Sequence, residues 1–142
     1  MVVIAVPPPV DCDVLLPGYD FVDAYQAPVA PGVDAVEAAH RAFARAPGWA
    51  TALMALRDRL VAPFGLKPAP ASGFPVVSET PEQVVLGFDD RHLDFRVVVT
   101  VAAGKATLTT IVRRRNWLGR AYLFVILPFH RLIARAFAAR IG

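Results

Sequence analysis

The chain has 142 residues and a mass of 15.3 kDa, is 56% hydrophobic and 19% charged, and has a mean hydropathy of +0.47 and an isoelectric point near 9.5. That length suits one domain around one core, the apolar fraction excludes intrinsic disorder, and the lone Cys12 excludes a disulfide scaffold and a cysteine-based zinc site. Charge is split along the chain: up to Asp94 there are twelve acids and six bases, and from Phe95 onward nine bases and no acid.

That asymmetry has two readings. The basic half either meets an anionic partner or folds against the acidic half, and the near-cancellation favours the second. No RNP motif, zinc finger or Gly-rich phosphate loop accompanies the arginines, so no nucleic acid is expected. Met1–Val10 has no basic start and runs into Pro7-Pro8-Pro9, unlike a signal peptide. The apolar run Ala121–Phe129 is nine residues, far short of the roughly 17–25 that a spanning helix needs. A cytoplasmic protein without a transmembrane segment is expected.

Residues 1–18, with four prolines, read as an irregular lead-in to a single domain over 1–142. Alternation over 19–27 predicts a first strand, ended by Pro28 and Pro31. Asp34 is placed to cap a helix over 34–46, with Val36, His40 and Phe43 on one face and Glu37, Arg41 and Arg45 on another. Pro47-Gly48 breaks it. Trp49, Leu53, Leu56 and Leu60 then mark a second short helix, ended by Pro63 and Gly65.

From Phe74 the period becomes two. Runs over 74–79, 82–88, 92–101 and 105–116, separated by short turn sequences, predict an antiparallel meander. The last element is a long helix over 118–140, with Leu118, Tyr122, Val125, Phe129, Leu132, Ile133 and Ala136 facing the core, Arg120, Arg131 and Arg135 opposite, and Pro128 inside it. The expected class is α+β in a helix-grip arrangement: a curved antiparallel sheet, two short helices after the first strand, and a long C-terminal helix packed across the sheet. Such an arrangement encloses a cavity between sheet and helix.

The stretch Gly87-Phe88-Asp89-Asp90-Arg91-His92-Leu93-Asp94-Phe95-Arg96, followed by Thr110, Val112, Asn116, Gly119, Arg120, Tyr122 and Pro128-Phe129-His130-Arg131-Leu132-Ile133, resembles a bacterial family known only as domain of unknown function twenty-eight-sixty-seven. The resemblance covers roughly residues 19–140. It implies a START-like relative of the polyketide cyclases, found alone or joined to NAD(P)-binding reductase-like domains. It implies no activity. This chain has no dinucleotide fingerprint, so a reductase role would need a separate partner.

His92, Asp94 and Arg96 share one face of a strand. Such a row can hold an anionic group and shuttle a proton. Alternatively, Leu93, Phe95, Val97, Val99 and Val101 face the core, which leaves the row on a solvated outer face with a cross-strand ion pair. His130 is either an acid–base group at the cavity rim or a structural histidine near the Pro128 break. His40 reads as a core residue, and the three histidines form no metal spacing. Tyr19, Tyr25, Trp49, Trp117 and Tyr122 either line a pocket or are plain core. Neither Ser72 nor Ser78 has a nucleophile motif, and Arg113-Arg114-Arg115 closes the last strand either as a phosphate-binding run or, the commoner case, as a solvated edge that guards against aggregation.

The expected function is binding of a small apolar or amphiphilic molecule in the cavity, whose wall is Trp49, Leu53, Phe95, Val97, Tyr122, Val125 and Phe129, with neither cofactor nor metal. The alternatives are a cyclase, dehydratase or isomerase using His92, Asp94, Arg96 or His130, and an interaction module acting through its basic C-terminal helix. Phe124 and Leu127 lie on the outer side of that helix and are expected to be buried in a homodimer.

Overall fold

The computed structural model describes residues 3–44, 52, 56, 59, 76–89, 93–114 and 117–141. Its elements are strand β1 (Ile4–Ala5), helix α1 (Cys12–Leu15), strand β2 (Phe21–Pro28), helix α2 (Ala35–Ala44), strands β3 (Val76–Glu79), β4 (Gln83–Asp89), β5 (Leu93–Ala102) and β6 (Lys105–Arg114), and helix α3 (Trp117–Ile141).

The four strands of the meander form where alternation and turn chemistry agree. Ala103 and Gly104, both at positive φ (53° and 75°), make the two-residue turn between β5 and β6, a conformation whose twist matches the flanking strands. Between β3 and β4, Thr80 and Gln83 exchange backbone hydrogen bonds, and the Thr80 hydroxyl joins them. The sheet is antiparallel throughout, in the order β1-β2-β6-β5-β4-β3. Pairing of β2 with β6, Phe21 opposite Val112 through Pro28 opposite Lys105, brings the start of the chain to its last strand.

The helix-grip, START-like expectation is corrected. Residues 3–18, mostly irregular, are packed into the fold: Ile4 and Ala5 add a sixth strand, and Val10, Cys12, Leu15, Leu16 and Tyr19 pack on Val85, Val98, Ile111 and Val22. Asp11 caps α1 by accepting from the Val14 N–H at 3.3 Å. Both faces of the sheet are therefore covered, giving three layers. Nor does the C-terminal helix grip the sheet. Among the described residues α3 packs chiefly on β2, β6 and α2, while α2 covers β4 and β5.

The expected faces of both helices are also corrected. Among the described residues of α2 the buried ones are Ala35, Ala38 and Ala39, whereas Val36 is 38% exposed and His40 lies at the surface, so His40 is not core. Among the described residues of α3 the buried ones are Ala134 and Ala138, whereas Leu132 of the expected inner stripe is 55% exposed. Small side chains at these positions let the two helices approach each other and the sheet closely. The capping expectation holds: Asp34 Oδ1 accepts from the Glu37 N–H at 2.9 Å, and Glu37 pairs with Arg41 at 3.0 Å. In the second short helix, residues 52, 56 and 59 are helical, and Leu56, expected inside, is 52% exposed.

Candidate functional site

Period two along β5 and β6 sorts the polar residues onto opposite faces of the sheet. Asp94 and Arg96 share a face with Val98, under the N-terminal segment, while Leu93, Phe95 and Val97 face the helices. Leu93, Phe95 and Val97 thus point inward as expected, but Asp94 and Arg96 do not lie on a solvated face. Asp94 is fully buried. Its carboxylate accepts from Nε and Nη2 of Arg113, its register partner on β6. Arg113 Nη1 also donates to the Pro17 carbonyl at 2.9 Å, and Arg114 pairs with Asp20 at 3.0 Å. Two of the three consecutive arginines therefore fasten the N-terminal segment to the sheet instead of forming a solvated strand end. Arg96 is half-buried and donates to the Phe95 carbonyl at 2.8 Å. His92 lies outside the described residues.

His130 is on the other side of the sheet, so it does not converge with Asp94 and Arg96. On the helix-facing side, His130 Nε2 lies 3.2 Å from both carboxylate oxygens of Asp23. Asp23 is an inward position of β2, opposite buried Thr110 on β6. The ring of Phe21 meets the imidazole edge-on at 6.2 Å, and Leu127 packs with Phe21, Leu93, Phe95 and Val112 beside it. The pair is thus largely withdrawn from water, at 22% and 18% exposure, within apolar surroundings. Although His130 Nε2 is close to both oxygens, Asp23 Oδ2 is buried and accepts no well-directed hydrogen bond from the described residues. A carboxylate beside Nε2 favours the tautomer carrying its proton there and leaves Nδ1 as the acceptor.

Asp23 is the residue that sequence reasoning missed. Its signal was an acid at an inward position of an otherwise aromatic alternation, Tyr19, Phe21, Asp23, Tyr25. Of the expected cavity wall, Phe95 and Val97 face the helices as anticipated. Trp49 and Leu53 lie outside the described residues, and for Tyr122, Val125 and Phe129 the structure describes the helical backbone alone. Leu127, expected to face outward with Phe124, packs inward instead, so the two do not form one outer patch. Arg135 stacks over Tyr25 at 5.0 Å and reaches the Val3 carbonyl.

No group of His, Cys, Asp and Glu among the described residues could hold a metal ion. No helix among them is long and apolar enough to cross a membrane. Burial, followed by the charges of Asp11 and Asp13, pushes the Cys12 thiol above its ordinary range. No curated protein and no solved structure matches the chain. Residues 15–137 match the family model described as Protein of unknown function (DUF2867), and the chain belongs to that family.

Proposed function

We propose that the domain binds a small amphiphilic molecule on the helix-facing side of the sheet, with its apolar part against Phe21, Leu93, Phe95, Val112 and Leu127 and its polar end at Asp23 and His130. The observation that carries this is Asp23 Oδ2, a buried acceptor without a well-directed donor among the described residues, set in an apolar cluster. An unsatisfied buried acceptor costs about 1–3 kcal/mol, and a ligand hydroxyl or ammonium would recover it.

The test is titration with octylamine and octanoate, followed through the His130 ring protons by NMR. Octylamine is expected to shift the ring signals saturably and octanoate not to, with the response lost in Asp23→Ala. Equal binding of both probes, or binding that survives Asp23→Ala, would overturn the assignment. The oriented imidazole favours a second reading, proton transfer by His130 Nδ1 with Asp23 holding the ring, in a cyclase, dehydratase or isomerase.

A further inference from the structure

Helix α3 has an outer face that the fold leaves open. Arg120, Ala121, Phe124, Pro128, Arg131, Leu132, Arg135 and Ala139 are all exposed, Phe124 by 82% and Leu132 by 55%. At 100° per residue they fall within about 120° of one another, on the side adjoining the row of Leu127, Ala134 and Ala138. From Arg120 to Arg135 that side runs about 22 Å, at 1.5 Å per residue. The whole helix carries no acid, nor does any residue after Asp94. Asp94 and Asp20 hold Arg113 and Arg114, and Arg135 stacks over Tyr25 and reaches the Val3 carbonyl, while Arg120 and Arg131 form no ion pair among the described residues.

We propose that this face docks on an anionic lipid surface. Guanidinium groups take lipid phosphates and carboxylates, while Phe124 and Leu132, standing between them, enter the boundary between headgroups and acyl chains. The charge pattern argues against the expected homodimer through the same face. A two-fold contact would set three arginines against three arginines with no acid to separate them. A nucleic acid would engage the arginines but would not cover Phe124 and Leu132. The inference does not depend on the ligand reading, since His130 and Asp23 lie on a different side of α3.

Co-sedimentation with vesicles tests it, comparing pure phosphatidylcholine with an equal mixture of phosphatidylcholine and phosphatidylserine. The protein is expected on the mixed vesicles and not on the neutral ones, and to be released by salt. Arg120→Gln and Arg131→Gln should each weaken partitioning about fivefold, the effect of roughly one cationic residue at an anionic surface, and Phe124→Ser should weaken it in low salt. Every substituted side chain is exposed, so thermal melts should coincide with wild type. Equal sedimentation with both vesicle types would overturn the proposal. So would dimerisation in sedimentation velocity that Phe124→Ser abolishes, or DNA binding that Phe124→Ser leaves intact.

Discussion

The ion pair between Asp94 and Arg113 separates a buried row from a solvated one, and replacing either partner measures the difference. Asp94→Ala removes a fully buried carboxylate and two charge-assisted hydrogen bonds, each bond to a charged group being worth about 1.5–3 kcal/mol. The guanidinium left behind is 35% exposed and still bonded to Pro17, so water recovers part of its solvation. The expected loss is therefore about 2–3 kcal/mol, below the roughly 3–5 of a fully sequestered pair. Arg113→Ala removes the guanidinium that faces a fully buried carboxylate and also releases Pro17; about 3–5 kcal/mol is expected. Urea unfolding followed by circular dichroism gives both values. In a chain of this size the first should lower Tm by about 6–12 °C. A loss below about 0.5 kcal/mol for Asp94→Ala, the scale of surface substitutions, or a smaller loss for Arg113→Ala than for Asp94→Ala, would refute the argument.

Gly87 sits at φ +155°, and a Cβ there would lie 2.2 Å from the Phe95 carbonyl oxygen; Gly87→Ala should cost about 1–3 kcal/mol or more in urea unfolding, and a neutral result would show that β4 and β5 are more widely spaced. Thr109 is fully buried, and its hydroxyl has no hydrogen-bond partner among the described residues, so the isosteric Thr109→Val should leave stability unchanged or raise it by about 1 kcal/mol, whereas a clear fall in Tm would reveal a partner. Because the native Cys12 thiol is held protonated above its ordinary range, its contribution is fully present below the unfolded-state pKa and is lost as pH rises through the native one. The urea midpoint of wild type should therefore fall toward alkaline pH more than that of Cys12→Ala, and Ellman's reagent should react far more slowly with native than with unfolded protein; rapid native reaction would contradict the burial.

Local pattern alone determined most of the sheet. Strand alternation from Val76 to Arg114 and the short turns between the runs needed no knowledge of the remainder, since side-chain period and turn conformation are properties of adjacent residues. The same holds for the Asp34 cap and the Glu37–Arg41 pair, both fixed within four residues. Tertiary structure decided what each face met. Periodicity ranks residues by hydrophobicity, so it selected Val36 and His40 on α2 and Leu132 on α3, all three exposed, whereas the described residues buried on these helices include Ala35, Ala38, Ala134 and Ala138. Nothing near Asp94 in sequence says that residues 10–19 fold over it, and only the pairing of β2 with β6 brings that segment there. The same pairing sets Asp23 beside His130, 107 residues later, a contact whose two partners belong to different elements and become neighbours only once the sheet and α3 have packed.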